Sequence, residues 1–428
     1  MKGFGNEQKF NKKPAKSNKK INPSKEQILS QAIQFHSQGN ISKAAKYYKY
    51  FINQGFKDYR VFSNYGVILK GLGKLKEAEF SYRKAIELNP NYAEAYFSLS
   101  LLKYSGENKI WKNQLFSKSF LNHKSKKDQI NIYFARANIL HKEKNYENSS
   151  KYLKLANQLK LILHPSNSDS LIKQSKALLT ESIQQEINQK ENTKSEESIF
   201  IVGMPRSGTT LLESILSINP GISDLGESEI LQESFKDYKK SNQELNLGER
   251  YLEKIKEYKQ QSNSTTNKNL YNYMYVGIIA NKIPNAKIIH CYRNPLDNIL
   301  SIYRANFSQG IRYSSSLIDC ANVYLDQEEI MSIYKSRFKT KIYDFNYDSL
   351  VLDSKKEIKS LISWLGWKWS DAYLSPHLNQ RTIYTASSVQ VRSPINSKSV
   401  GGWRNYKDML KPSIEILTKT ERYRDLLS

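Results

Sequence analysis

The residues from Ile199 to Leu216 carry the most informative pattern in the chain. An apolar run, Ile199–Val202, leads into the turn GMPRSGTT at residues 203–210, and a helix-like apolar segment follows. A strand, a glycine-containing turn and a helix in this order direct successive backbone N–H groups into an anion pocket at the helix N-terminus. The pattern predicts a loop that binds a phosphate or sulfate group.

This turn lacks the lysine of the common nucleotide-hydrolase loop GxxxxGK[ST]. Thr209 stands at the position of that lysine, and the positive charge of the loop lies earlier in the sequence, at Arg206. The missing lysine is the side chain that contacts the terminal phosphates of ATP or GTP. The loop therefore argues against Mg-nucleotide hydrolysis and favours a nucleotide with a different transferable group. The loop sequence alone leaves another kind of nucleotide enzyme open.

An acidic side chain, Glu227, follows the short apolar run Ile222–Leu225. We expect the position of Glu227 to lie next to the phosphate loop in a parallel sheet. A carboxylate at such a place can accept a proton from an attacking hydroxyl. The alternative role is capping of a helix by its acidic first turn, which is common for a residue such as Glu229.

A second basic position lies at the end of another strand-like run. Arg293 follows Lys287–Tyr292, Pro295 opens a helix, and Ser301 comes eight residues after the arginine on that helix. The planar fork of arginine can donate two parallel hydrogen bonds to phosphate oxygens. An arginine that follows a strand is often only a solvent-exposed residue at the strand end. Arg293 indicates a phosphate site only because it occurs together with the phosphate-type loop.

With these motifs the chain resembles the sulfotransferase superfamily, in particular bacterial proteins that fuse tetratricopeptide repeats to a domain similar to protein-tyrosine sulfotransferases. The resemblance covers most of the chain from Ile199 onward. It implies that the sulfuryl donor is 3′-phosphoadenosine-5′-phosphosulfate (PAPS). The 3′-phosphate would be bound by Arg293 and Ser301. The 5′-phosphosulfate would be bound by the loop residues Pro205, Arg206, Ser207, Gly208, Thr209 and Thr210.

The resemblance also implies the catalytic side chains. Glu227 would be the general base. Arg206 and Lys268 would stabilise the negative charge that grows on the moving sulfuryl group and on the leaving phosphate. Further donor contacts are implied for Tyr347, Ser387 and Gly401.

The chain departs from the family pattern near several of these positions. Asn267 and Leu270 stand where the family more often has Asp and Pro around Lys268, and Lys282 is the other candidate for the lysine. Asn294 replaces the Asp that commonly follows the arginine. Gly402 stands where the family often has a basic residue, so that charge would have to come from elsewhere. The basic candidates for it are Lys398 and Arg404, and the neighbouring Trp403 is expected to be a packing anchor.

Two other functions stay open beside sulfuryl transfer. An ATP-dependent phosphoryl transferase would need a loop lysine and an acidic Mg ligand at a strand end, and neither is evident. The second alternative function is a scaffold, in which the repeats bind a partner and the α/β domain has impaired activity. The departures from the family pattern at Asn267, Asn294 and Gly402 are compatible with this alternative. The acceptor hydroxyl is also open between a peptide tyrosine, a glycan and a small metabolite, with the repeats favouring a polypeptide.

The N-terminal third has the spacing of helical repeats. Residues Tyr59–Tyr92 fit one 34-residue helix-turn-helix unit that resembles a tetratricopeptide repeat, and looser copies lie on both sides within residues 25–160. Such units bury their faces only by stacking, and the whole surface is a candidate dock for a protein or peptide. The positions that carry the central match are Phe62, Tyr65, Gly66, Leu69, Gly73, Ala78, Tyr82, Ala85 and Pro90.

Strands and helices alternate from Ile199 onward, which predicts a parallel sheet covered on both faces. The strand-like runs are Ile199–Val202, Ile222–Leu225, Lys287–Cys291 and Ile342–Phe345. The fold class is therefore α plus α/β: an N-terminal repeat solenoid followed by a P-loop-like α/β domain with a central parallel sheet. We predict a disordered basic tail at residues 1–24, the solenoid at 25–160, a helical connector and linker at 161–197, and the sulfotransferase-like domain at 198–428. The polar stretch 231–264 is expected to be helical and to lie where the acceptor binds.

Charge and cysteine content set the remaining bounds. Lysine and arginine number 66 against 41 acidic residues, a formal charge of +25. No nucleic-acid reading motif accompanies this charge, so nucleic acid is not the expected partner. The six histidines have no paired spacing and predict no metal site. The two cysteines, Cys291 and Cys320, suggest no disulfide framework, and no apolar run is long enough to span a membrane, so we expect a soluble cytoplasmic protein.

Overall fold

The computed structural model describes residues 23–103, 110–184, 197–240, 246–258, 262, 264–307, 310–383 and 385–426. Most of the predicted basic tail (1–24) and residues 185–196 of the predicted helical connector and linker (161–197) lie outside these residues. Helices alone precede the first strand in the described part of the chain. They are α1 (Lys25–Ser37), α2 (Ile41–Asn53), α3 (Tyr59–Gly71), α4 (Leu75–Leu88), α5 (Ala93–Ser100), α6 (Ile110–Phe116), α7 (Lys126–Lys142), α8 (Tyr146–Leu163) and α9 (Ser168–Ile183).

Successive helices pack as hairpins, α1 on α2, α3 on α4 and α7 on α8. The small residues of the repeat pattern explain the close packing, because a Cβ at Gly66 would lie 2.6 Å from the ring of Tyr82. Tyr82 is itself completely buried. The prediction of helical repeats in this region is therefore confirmed.

The last repeat shares its hydrophobic core with the C-terminal region. Phe134 of α7 and Leu153 of α8 belong to the same buried cluster as Phe200 and Val202 of the first strand. Polar contacts join the same parts, since the Asn157 side-chain amide donates to the carbonyl of Tyr303 at 3.0 Å. The repeats and the C-terminal region are thus packed as one body at this end.

The central sheet has five parallel strands in the order β2-β3-β1-β4-β5. Their bounds are β1 (Glu197–Gly203), β2 (Ile222–Asp224), β3 (Ser264–Asn267), β4 (Ala286–Tyr292) and β5 (Ile342–Asn346). Alternate side chains of β1 enter two separate cores, with Phe200 and Val202 on one face and Ile199 and Ile201 on the other. Both faces are covered, as the alternation of strands and helices predicts.

Strand β3 is absent from the sequence prediction, which placed a strand at β1, β2, β4 and β5 only. Its sequence is Ser-Thr-Thr-Asn, which lacks the apolar residues that mark a buried strand. It lies between β1 and β2, with Phe200 paired to Asn267 and Asp224 paired to Thr266. Strand β3 therefore separates β2 from the phosphate-loop strand β1.

The other helices cover the sheet. They are α10 (Thr209–Leu216), α11 (Ile230–Lys240), α12 (Leu247–Lys256), α13 (Val276–Lys282), α14 (Pro295–Tyr303), α15 (Leu317–Arg337), α16 (Tyr347–Leu352), α17 (Ser354–Leu365) and α18 (Lys407–Leu417). The described residues of the stretch 231–264 form most of α11, all of α12 and the start of β3. None of the helices described here has the length and apolar character needed to cross a membrane.

Candidate functional site

The phosphate-type loop lies between β1 and α10, as the sequence predicts. Gly203 has φ +148°, and a Cβ there would come 2.2 Å from the carbonyl oxygen of Cys291 on β4. Arg206 and Gly208 also have positive φ, at +68° and +103°. Helix α10 begins directly after the loop, so its first N–H groups have no intrahelical carbonyl partner and face the loop. The buried hydroxyl of Ser207 likewise has no hydrogen-bond partner among the described residues.

Two features of position 208 require glycine. Its φ is left-handed, which disfavours residues with a side chain, and a Cβ at this position would lie 2.6 Å from the ring of Tyr347. We expect Gly208→Ala to lower the free energy of unfolding by about 1–3 kcal/mol, measured by urea denaturation. Gly310→Ala is the control, because Gly310 has no positive φ and open space around it. Equal stability of the two variants would contradict the expectation.

Arg206 extends from the loop toward α14 and the C-terminal segment. Its Nε donates to Ser301 Oγ at 3.0 Å and its Nη2 to Gln390 Oε1 at 2.5 Å, and its Nη1 donates to Ser387 Oγ. All three partners are neutral. Burial and the nearby Arg293 lower the pKa of the Arg206 guanidinium to about 10. The site thus holds excess positive charge, which a bound anion would compensate.

Arg293 lies beside Arg206 and is almost completely buried. Its guanidinium stacks on the Tyr347 ring at 4.6 Å from the centroid, and its Nη1 lies 3.4 Å from the carbonyl oxygen of Arg206. Its Nη2 donates to the carbonyl of Ser399 at 2.9 Å, while its Nε has no partner among the described residues. The structure therefore brings Arg293, Ser301 and Tyr347 next to the loop.

Residue Gly401 is held by α14. Its N–H donates to Asp297 Oδ2 at 2.6 Å, and the N–H of Trp403 donates to Asp297 Oδ1 at 2.9 Å. Asn298, fully buried on the same helix, donates to the carbonyl of Pro205 at 3.0 Å. Asp297 and Asn298 were not predicted as site residues, although two polar residues in the apolar start of α14 were a usable signal.

Lys268 and Glu227 form the other half of the site. Lys268 follows β3 and its side chain is 1% exposed, whereas that of Glu227 is 48% exposed. The Lys268 Nζ lies 2.7 Å from Glu227 Oε1 and 3.9 Å from Glu213 Oε2. At the start of α11, the Ser228 hydroxyl accepts a hydrogen bond from the N–H of Ile230 at 3.3 Å.

Glu213 is a buried carboxylate that the sequence analysis did not identify. It lies on α10 with 1% of its side chain exposed, and its Oε2 is 2.5 Å from Nη2 of Arg381. Arg381 also pairs with Asp224 at the end of β2. A charged residue within the apolar α10 was the signal, but its partner is 168 positions away in the sequence.

Burial raises the pKa of the Glu213 carboxyl from 4.5 to about 7, although Lys268 and Arg381 act in the opposite direction. Because the native state then binds a proton that the unfolded state has released, the free energy of unfolding falls as pH rises from about 4.5 to about 7. The contribution is complete below about pH 4.5 and amounts to about 3 kcal/mol. We expect the stability difference between wild type and Glu213→Gln to change with pH in this window, as measured by urea unfolding at pH 5 and pH 8. A difference independent of pH would contradict this.

The structure gives the departures from the family pattern local roles. Asn267 Oδ1 accepts from Asn269 N at 3.1 Å and from Asn272 Nδ2 at 2.9 Å. Asn294 caps α14, accepting from the N–H groups of Leu296 and Asp297. These asparagines therefore shape the turns that follow β3 and β4.

The alternative basic residues lie elsewhere. Lys282 is the last residue of α13 and lies just before the start of β4. It is therefore at the N-terminal end of the strands, whereas the phosphate-type loop is at their C-terminal end. Lys398 and Arg404 are exposed, and Arg404 lies over the ring of the buried Trp403. The expected anchoring role of Trp403 agrees with its 5% exposure. Among the residues whose positions are described, no group of three or more His, Cys, Asp or Glu could hold a metal ion.

Comparison with known proteins gives three family-model matches. Residues 198–371 match the model "Sulfotransferase family", and residues 66–105 and 130–161 match models of the tetratricopeptide repeat. An uncharacterized protein of Aquifex aeolicus (strain VF5) is 27% identical over 379 residues, covering 82% of this chain and 49% of that protein. Protein-tyrosine sulfotransferase 1 of Danio rerio is 24% identical over 233 residues, covering 48% of this chain and 65% of its own length. The chain thus spans about half of the first relative and less than two thirds of the second.

Among solved structures, the sulfotransferase domain of the Synechococcus PCC 7002 olefin synthase is 16% identical, with a TM-score of 0.38, over 54% of this chain and 97% of that domain. Mouse sulfotransferase SULT7A1 complexed with PAP is 17% identical, with a TM-score of 0.35, over 59% of this chain and 93% of that chain. Likeness at this level says nothing about activity. The family models give the clearest similarity: residues 198–371 of this chain match the sulfotransferase family model, and they follow segments that match tetratricopeptide-repeat models.

Proposed function

We propose that this protein transfers a sulfuryl group from PAPS to an acceptor hydroxyl. The observation that carries the proposal is the contact between two cationic positions. Arg206 of the loop is hydrogen-bonded to Ser301, and Arg293 lies against the backbone of Arg206. The partners of Arg206 are neutral, and among the described residues Arg293 has the single carboxylate of Asp297 at 3.9 Å. The two adjoining guanidinium groups therefore keep a net positive charge, which suits a nucleotide that is anionic at both its 5′ and 3′ ends.

The residues present fit such a donor. The first N–H groups of α10 and the hydroxyls of Ser207 and Thr210 would bind the 5′-phosphosulfate, together with Gly208 and Thr209 of the loop. Arg293 and Ser301 would bind the 3′-phosphate, with Tyr347, Ser387 and Gly401 around them. Support comes from the Ser207 hydroxyl and the Arg293 Nε, both of which are buried without a partner among the described residues. A buried polar atom without a partner is costly, and a ligand oxygen would satisfy it.

The chemistry is an in-line displacement at sulfur. The acceptor oxygen forms a bond to sulfur as the bond from sulfur to the 5′-phosphate oxygen breaks, and the hydroxyl proton passes to a carboxylate oxygen of Glu227. Glu227 suits this role because it is half exposed at the carboxyl end of the sheet, where an acceptor can reach it.

Lys268 would stabilise the charge that develops on the leaving phosphate. Its ammonium lies between the carboxylates of Glu227 and Glu213. When Glu227 takes the proton it becomes neutral, and among the residues that the structure describes the ammonium then keeps Glu213 as its nearby counter-charge. Proton transfer to the base and charge stabilisation by the lysine are coupled in this way.

A peptide tyrosine is the acceptor that we propose to test first. The motivation is the similarity to a protein-tyrosine sulfotransferase of Danio rerio together with repeats that can dock a polypeptide. Because Cys291 and Cys320 are both free and buried, we further propose that the protein works in a reducing compartment such as the cytoplasm. Fractionation of cells that produce the protein tests this location.

Calorimetry with three nucleotides tests donor binding. We expect 3′-phosphoadenosine-5′-phosphate to bind, and both AMP, which lacks the 3′-phosphate, and ATP to bind far more weakly. Tighter binding of ATP would overturn the proposal in favour of a phosphoryl transferase.

Transfer itself is tested with PAPS that carries labelled sulfate. The acceptors are a tyrosine peptide, the same peptide with phenylalanine, an oligosaccharide and a simple phenol. Label on the tyrosine peptide alone would assign the acceptor, and label on another acceptor would correct it. Nucleotide binding without transfer to any of them would favour the scaffold.

A further inference from the structure

The segment of residues 379–393, here named the C-terminal loop, contacts the active site along one side. Residue 384 lies outside the part of it that is described. Ser387 and Gln390 accept hydrogen bonds from Arg206. The Thr385 hydroxyl lies 3.3 Å from the hydroxyl of Thr210, at the start of α10. The C-terminal loop therefore holds the arginine of the phosphate-binding loop and touches the helix behind it.

Its other side contacts the helical repeat formed by α3 and α4, here called the second repeat. The N–H of Ile383 donates to the carbonyl of Gly71 at 3.0 Å, and Arg392 Nη2 donates to the same oxygen at 2.9 Å. Val389, which lies between Ser387 and Gln390, packs on the hydrophobic core of the repeats, which includes Leu69 and Tyr82. Residues of one short segment thus alternate between the repeats and the active site.

Arg392 is the side chain that joins these contacts. Besides Gly71 it donates to the carbonyl of Asn379 at 2.5 Å and to the carbonyl of Arg381. One guanidinium therefore closes the C-terminal loop on itself and attaches it to the turn between α3 and α4. The fit is close, since a Cβ at Gly73 in that turn would lie 2.9 Å from Arg392 Nε.

We propose that Arg392 is a positioning residue and that the second repeat is part of the scaffold of the active site. By fixing the C-terminal loop to the Gly71–Gly73 turn, Arg392 holds Ser387 and Gln390 where they orient Arg206 toward the donor. The proposal rests on the proposed sulfuryl transfer for its kinetic consequence only. Its structural consequence, an ordered C-terminal loop, can be measured without any activity.

A pair of glycine variants in the full chain gives the sharpest test. Gly73 and Gly55 have nearly the same left-handed φ, +78° and +77°, but only Gly73 faces Arg392, while Gly55 has open space. Alanine strains the backbone equally at both positions, so only Gly73→Ala should also displace Arg392. We expect faster hydrogen exchange in peptides from residues 379–393 for Gly73→Ala and wild-type exchange there for Gly55→Ala.

Substitution of the arginine should act in the same direction. We expect Arg392→Ala to raise KM for PAPS by about tenfold, the scale for losing a hydrogen bond to a charged group, with a smaller change in kcat. Arg392→Lys should restore part of the loss, since it keeps the charge but not the fork. Arg60→Ala is the control, because Arg60 lies on α3 of the same repeat and pairs with Asp58.

The outcomes separate the two proposals. Unchanged exchange at residues 379–393 and unchanged KM in both folded Gly73→Ala and Arg392→Ala would overturn the positioning role. Should Arg392→Ala fail to fold, the comparison of Gly73→Ala with Gly55→Ala still decides. If the wild type binds no 3′-phosphoadenosine-5′-phosphate, the donor assignment fails, yet the exchange data still show whether the repeats order the C-terminal loop.

Discussion

Glu227→Gln is expected to lower kcat for sulfuryl transfer by about 10²–10⁴-fold, the usual contribution of a general base. The glutamine has nearly the same shape and still accepts a hydrogen bond from Lys268, so the site should keep its geometry. Donor affinity should stay close to that of the wild type, because Glu227 lies on the Lys268 side of the site and has no contact with Arg206 or Arg293. Single-turnover transfer of labelled sulfate and calorimetry with 3′-phosphoadenosine-5′-phosphate measure the two quantities.

Glu229→Gln is the matched control for this substitution. Glu229 is exposed two residues further along, just before α11, where an acidic side chain favours the helix N-terminus. We expect wild-type kcat for Glu229→Gln and a small loss of stability. A loss of transfer for Glu229→Gln with none for Glu227→Gln would exchange the roles of the two residues.

The parts of the site that the sequence could predict are the local ones. The loop, its helix and the Arg293–Ser301 pair each follow a strand within a few residues, so the periodicity of the sequence places them. Lys268 was harder, because β3 is polar and short and its strand character comes from pairing with β1 on one side and β2 on the other. A lysine among many lysines also looked like a surface residue, yet it is fully buried.

Long-range partners could not be predicted at all. The contacts of Arg381 with Glu213 and of Arg392 with Gly71 join residues that are 168 and 321 positions apart. Neither arginine has a strand or helix pattern around it in the sequence. The positions of Arg381 and Arg392 depend on the path of the C-terminal segment across the domain. This path is a property of the tertiary structure and cannot be read from the local sequence.

The role of the repeats follows from the same contacts. The solenoid was expected to dock a partner, and its deletion would be the obvious test of that idea. However, α7 and α8 share the core of the sheet, and the turn after α3 holds the C-terminal loop. Deleting residues 25–160 would therefore damage the enzyme domain directly. Single substitutions in the repeats are the informative experiments.

Lys268→Met is expected to combine a large kinetic loss with a loss of stability. Methionine keeps a similar length but removes the ammonium that we propose stabilises the leaving phosphate, and we expect kcat to fall by about 10²–10³-fold. The substitution also leaves the buried Glu213 with Arg381 as its remaining close cation. Removing one member of a buried ion pair costs about 3–5 kcal/mol, with the lower end expected because Arg381 is still present.

The double variant Lys268→Met/Glu213→Gln separates these two effects. It removes the buried carboxylate together with the ammonium, so no uncompensated charge stays in the core and the free energy of unfolding should recover most of its loss. The kinetic loss should persist, because the charge that stabilises the leaving phosphate is still absent. Urea unfolding and single-turnover transfer give the two readouts on the same samples. Recovery of transfer together with stability would mean that Lys268 is a structural residue and that the leaving phosphate is stabilised elsewhere in the site.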